Sequence, residues 1–198
     1  MEHLSEIVAD FYIKRNIIEA DDKEIYQYGV FLILNEVFTF LLIFILSILM
    51  KKFRFALEFL IPFCVTRIFC GGFHAKKVFI CRFTMVSTFL LIVALSYILI
   101  NISNLILFEI LALSFVVILP FIPVRHPNKT LSEELVKKNK ICGIISFILF
   151  SVIAILKFIF INRQDGIMIT LSLTAVTVLA IVRSLHLEGG ISHEKVNR

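Results

Sequence analysis

A chain of 198 residues that is 59% apolar and only 18% charged, with a mean hydropathy of +0.96, cannot hide its apolar surface inside a water-soluble domain of that size. The bilayer is its solvent, and the length suits one bundle of membrane helices with short connections, leaving no room for a separate soluble domain. The formal charge of +5 does not argue for a nucleic-acid partner, because the basic residues sit between apolar segments, where they act as topology determinants.

The first 28 residues differ from the rest. Seven acids (Glu2, Glu6, Asp10, Glu19, Asp21, Asp22, Glu24) against three bases (Lys14, Arg15, Lys23) give them a net charge of −4. The start Met1-Glu2-His3-Leu4-Ser5-Glu6 has neither a basic region nor an early apolar core, so a cleavable signal peptide is not expected. Leu4, Ile7, Val8, Phe11, Tyr12 and Ile18 recur at three- and four-residue spacing. That spacing predicts an amphipathic helix within residues 1–28, lying on the membrane surface or against the bundle.

Residues 29–187 hold six apolar segments, at about 29–50, 55–70, 83–100, 105–122, 141–161 and 166–187. At about 1.5 Å per residue, those of 18 residues or more cross the hydrocarbon core. The second contains Glu58, Pro62 and Arg67 and ends at Gly71-Gly72, so a short, broken or re-entrant helix is expected there. Trp is absent, which leaves interfacial anchoring to Tyr12, Tyr26, Tyr28, Tyr97 and the charged residues. The fold class predicted is all-α, a polytopic membrane bundle of about six segments.

Orientation follows from Lys and Arg in the connections. Residues 76–82 carry Lys76, Lys77 and Arg82, and residues 123–140 carry Arg125, Lys129, Lys137, Lys138 and Lys140, which assigns both to the cytoplasmic side. Six crossings then put both termini, including the tail 188–198, in the cytoplasm; Lys51, Lys52 and Arg54 fall outside, against the rule. Asn35, Glu36, Glu58 and Glu109 are costly in lipid and are expected to face the bundle interior or the interface. No repeat relates the two halves, which weighs against a secondary transporter. A peptide exporter or channel lined by Glu36, Glu58 and Glu109 stays open as an alternative.

The stretch 67–82 concentrates a candidate nucleophile, base and cations at one membrane edge. A thiol becomes a good nucleophile when an imidazole takes its proton and nearby positive charge stabilises the thiolate. His74 and Cys81, flanked by Lys76, Lys77 and Arg82, supply those parts. On one straight helix, seven residues would separate the two by about 10.5 Å, so His74 must sit on a turn that folds back, for which Gly71-Gly72 is suited. If Cys81 begins the next helix, its thiolate also gains from the helix N-terminus. Cys70, four residues before His74, competes for the role, and spacing alone does not choose between the two thiols. The four cysteines, Cys64, Cys70, Cys81 and Cys142, lack a disulfide framework and are expected to be free. No CxxC or HExxH spacing supports a metal site, and no Gly-x-Ser-x-Gly supports a serine protease.

The pattern Arg67, Gly71-Gly72, His74 and Cys81, with Gly72-Phe73-His74-Ala75 at its centre, resembles the accessory gene regulator B family of Gram-positive bacteria. The layout is similar over essentially the whole chain: an amphipathic N-terminal arm, an early Arg-x-x-x-Gly-Gly-x-His-x6-Cys block, and a later loop rich in Pro and Lys between Pro120 and Lys140. That loop matches only in character. The resemblance implies a membrane cysteine endopeptidase that processes quorum-sensing propeptides in the bacterial cell membrane. It implies His74 and Cys81 as catalytic residues and no metal or other cofactor. The implied substrate has an amphipathic leader and an acidic C-terminal tail, which Arg67, Lys76, Lys77 and Arg82 are expected to grip. A homodimer is expected on the same ground.

Overall fold

The structure, a computed structural model, describes residues 2–70, 78–122 and 132–196, with backbone alone beyond residue 184. The described residues form helices and no strand: α1 (Glu2–Lys14), α2 (Lys23–Leu49), α3 (Phe53–Cys70), α4 (Val78–Ile98), α5 (Asn104–Ile118), α6 (Glu133–Leu156) and α7 (Arg163–Val196). Among these residues five stretches are long and apolar enough to cross a membrane: Ala20–Leu49, Phe79–Asn101, Asn104–Phe121, Glu133–Ile161 and Arg163–Ser184. The chain is an all-α, multi-pass membrane protein. The second of the six apolar segments is α3, an 18-residue helix whose Arg54, Glu58 and Arg67 set it apart from the five. The chain divides into two compact units, Met1–Lys51 with Ala75–Ser87, and Lys52–His74 with Thr88–Arg198, so α4 contributes its first half to one and its second half to the other.

In the first unit α1 packs on α2 through its small residues: Ser5 and Ala9 are buried, and the Ser5 hydroxyl donates to the Glu2 carbonyl at 2.7 Å. Small residues let helix backbones approach, which is the main source of packing contact when water is not driving association. Of the apolar stripe expected from the sequence, Leu4, Ile7 and Phe11 are exposed, Val8 and Tyr12 are half-buried and Ile18 is buried. Such a face suits the boundary between headgroups and acyl chains. The arm reverses at Asn16, whose φ of 53° lies in the left-handed region that Asn tolerates better than most residues. An ion pair between Lys23 and Asp10, at 2.6 Å, ties the start of α2 back to α1.

In the second unit α7 is the central helix, packed by α3, α5 and α6. Its inward hydroxyls are satisfied at home: Thr170 donates to the Gly166 carbonyl at 2.9 Å, Ser172 to Met168 at 2.7 Å and Thr174 to Thr170 at 3.0 Å. Thr177 bonds both Leu173 and, across to α5, the Ser114 carbonyl. Buried polar groups left unpaired in a medium without water cost several kcal/mol each, about 2–7 by transfer, which is why each hydroxyl finds a carbonyl.

Helix α3 runs unbroken although Pro62 deprives the Glu58 carbonyl of its usual donor. One face, Phe55, Phe59, Phe63, Thr66 and Cys70, is buried against α6 and α7, and Phe59 also meets Phe89 of α4 at 5.5 Å between ring centroids. This packing sustains the helix where sequence alone suggested a break. Its polar face is paired: Glu58 bonds Lys157, and Arg54 bonds Asp165, whose side chain is only 2% exposed. Glu58 therefore faces inward as the cost of a carboxylate in lipid demands, and the charge of Arg54, a misfit in the topology count, is matched within the fold. At the same end Arg163 donates to the Ile100 carbonyl at 2.7 Å and to the Ile102 carbonyl, holding the α4–α5 connection.

Between α6 and α7 the residues Lys157–Ile161 form a π-turn, and Gly166 sits against it. A Cβ at Gly166 would come within 2.5 Å of Phe158 Cβ and 2.6 Å of the Ala154 carbonyl oxygen. Gly166→Ala is expected to lower stability by about 1–3 kcal/mol, since the obstruction is backbone and Cβ and has no flexible end to move. Unfolding in mixed micelles measures this, and a variant as stable as wild type would mean that the turn repacks freely.

Candidate active site

Among the residues singled out from the sequence, Cys81 and Arg82 lie together near the start of α4, Cys81 closing its first turn and Arg82 opening its second. The Cys81 side chain is partly exposed, as a nucleophile must be to meet a peptide carbonyl. All four cysteines are free.

Arg82 is held by α2. Its Nη2 donates to Asn35 Oδ1 at 2.7 Å, and its guanidinium carbon lies 4.5 Å from the centroid of the Phe38 ring. Asn35 and Phe38, three apart, sit on one face of α2 and meet Arg82 together. The Asn35 amide is itself fixed, because Nδ2 donates to the Phe31 carbonyl at 2.8 Å and leaves Oδ1 for the arginine. Thr39 donates in turn to the Asn35 carbonyl at 2.8 Å. Sequence reasoning marked Asn35 as a polar residue that had to face inward, but offered nothing to pair it with a residue 47 positions away. Phe38 carried no signal at all among so many phenylalanines.

Arg67 belongs to the other unit, near the end of α3, with its guanidinium carbon 5.6 Å from the Phe63 ring centroid. His74, Lys76, Lys77 and the Gly71-Gly72 turn lie outside the described residues, as do Arg125, Lys129 and the rest of loop 123–131. The rival thiol, Cys70, is 0% exposed. Its Sγ packs where a Cβ on Gly143 of α6 would come within 3.2 Å, so Cys70 fills a close helix contact that no substrate carbonyl reaches. Cys64 and Cys142 are partly exposed, Cys64 in the fourth turn of α3 and Cys142 in the third turn of α6.

No curated protein and no solved structure matches the chain. The family described as Accessory gene regulator B matches residues 5–183, taking in α1 to α6 and most of α7. A match that continuous covers the amphipathic arm, the Arg67-to-Cys81 block and the bundle alike, and the chain belongs to the accessory gene regulator B family.

Proposed function

We propose that this protein is a membrane cysteine endopeptidase that removes the C-terminal tail of a quorum-sensing propeptide and enables the remainder to cyclise. Family membership supports a part in the processing of autoinducing peptides. The observation that carries the finer reading is the contrast between two thiols: Cys81, partly exposed in the first turn of α4 next to an anchored arginine, and Cys70, sealed in a helix contact.

In the proposed reaction His74 takes the Cys81 proton, and the thiolate attacks a peptide carbonyl of the propeptide. A C–S bond forms, the C–N bond breaks, and His74 returns the proton to the leaving amine, so that the acidic tail departs. The peptide is left as a thioester on Cys81. An internal cysteine or serine of the substrate then attacks that thioester, releasing the Cys81 sulfur and closing a thiolactone or lactone. Water must be kept away for the thioester to be spent on the ring, and a site at the membrane edge meets that need. Arg67, Lys76, Lys77 and Arg82 supply the positive charge that receives the acidic tail. With α3 as the sixth crossing, the site faces the cytoplasm of a bacterial cell and both termini lie on that side, the basic connections 76–82 and 123–140 being retained there.

Trapping the intermediate tests this reading. A propeptide whose internal nucleophile is replaced by alanine cannot close the ring. Incubated with the purified protein in lipid, it is expected to leave a mass increase equal to its tail-less fragment on Cys81, removable by hydroxylamine. Tail release with no adduct on any cysteine would refute the thioester route.

A further inference from the structure

We propose that Asn35 and Phe38 of α2 are positioning residues: they hold Arg82 as a fixed cation beside Cys81, so that the site favours an acidic side chain of the substrate close to the scissile bond. The inference deepens the peptidase reading and rests on it for the identity of the nucleophile.

An arginine at the end of a membrane helix is within reach of water. Left alone, its long side chain snorkels toward the headgroups and keeps its charge in water. Arg82 is instead drawn onto α2, with one N–H on Asn35 Oδ1 and its plane over the Phe38 ring. Both partners are neutral. Elsewhere the bundle matches cations with carboxylates, Lys157 with Glu58 and Arg54 with Asp165, whereas among the described residues no carboxylate lies within ion-pair distance of Arg82. Its Nε is buried without a hydrogen-bond partner. A guanidinium carries five N–H donors in a fork that fits a carboxylate, and Asn35 takes only one of them.

Neighbouring side chains leave a helix about 100° apart, so Arg82 meets α2 while Cys81 leaves the helix to the side of that contact. Arg82 therefore acts on the Cys81 surroundings as a field and as an anchor for a substrate carboxylate. It is not a hydrogen-bond donor to the sulfur. Anchoring matters because a tethered cation keeps its position when an anionic chain arrives, and loses less side-chain entropy on binding it.

The test uses the full chain in lipid nanodiscs, with Cys64→Ala and Cys142→Ala so that Cys81 is the accessible thiol. Its alkylation is followed with two methanethiosulfonates of similar size, one bearing a sulfonate and one a trimethylammonium group. The ratio of the anionic to the cationic rate is expected to fall by roughly three- to tenfold at low salt in Arg82→Gln and in Asn35→Ala, and the difference should shrink at high salt. Phe38→Leu, which keeps the apolar contact and removes the ring face, lowers the ratio by less. Asn35→Asp is decisive: it retains the acceptor and tightens the clip on Arg82 but cancels its charge, so the ratio drops as it does in Arg82→Gln. A ratio that Asn35→Asp leaves at the wild-type value, or that ignores Arg82→Gln, would overturn the proposal and reduce Asn35 to a structural clip. A parallel cleavage assay with a propeptide whose tail acids are changed to amides should show a raised KM with wild type and no further rise with Asn35→Ala. If alkylated Cys81 still cleaves, the peptidase reading fails while the charge preference remains measurable on its own.

Discussion

Cys81→Ala is expected to abolish release of the propeptide tail, a loss of at least about a thousandfold, because it removes the group that attacks the carbonyl in the proposed reaction. His74→Ala should lose roughly 10²–10⁴ in rate, the usual worth of a positioned general base and acid. Cys70→Ala should cleave at close to the wild-type rate, since Cys70 is sealed between α3 and α6. Purified variants in lipid, incubated with the propeptide and followed by mass spectrometry, give all three rates. Cys70→Ala removes a sulfur from a packed contact, so its unfolding is measured alongside; a stable variant that fails to cleave would move the nucleophile to Cys70. Cleavage by Cys81→Ala would remove the thiol mechanism altogether. Translocation of uncleaved peptide by Cys81→Ala would favour the exporter reading over the peptidase.

The helices were legible because apolar runs of 18 residues or more have one economical solution in lipid, and because the cost of Glu58 there required it to turn inward. The start of α4 was legible only approximately: the apolar run reads from about residue 83, whereas the helix begins at Val78 and Cys81 lies near its start without beginning it. Partners were not. Periodicity assigns a residue to a face but does not identify what that face meets, so the bond between Asn35 and Arg82 and the pairing of Glu58 with Lys157 had no signature. For α1 the pattern marked an apolar face but gave no sign that Ser5 and Ala9 lie buried where α1 packs on α2. In water the large apolar residues would have been the packing face, whereas in a membrane small residues take that part. The close approach at Gly166 was equally hidden, because a glycine in the first turn of an apolar segment gives no sign of the π-turn opposite it. Of the candidate site, the block from Arg67 to Cys81 yielded a chemical hypothesis, while the anchoring of Arg82 from another helix left no sign in the sequence.

The second large effect concerns the frame of the bundle. Glu58 of α3 and Lys157 of the π-turn form an ion pair whose carboxylate side chain is 10% exposed and whose ammonium side chain is 26% exposed. Removing one partner leaves the other charge in a poorly solvated place, which in proteins costs about 3–5 kcal/mol, whereas replacing both with apolar groups of similar size is often nearly neutral. Glu58→Met and Lys157→Met are therefore each expected to be strongly destabilising, and the double variant to recover most of the loss. The sign of that coupling separates a true pair from two independently useful residues. Denaturation in mixed micelles supplies the four stabilities. Singles that unfold like wild type would show the pair to be a solvated contact of little worth. Helix α3 ends at the segment that carries His74, so a loosened α3 should also lower the cleavage rate of each single variant, and the double variant should restore both rate and stability. Recovery of stability without recovery of rate would mean that the charges themselves, and not only the anchoring of α3, serve the reaction.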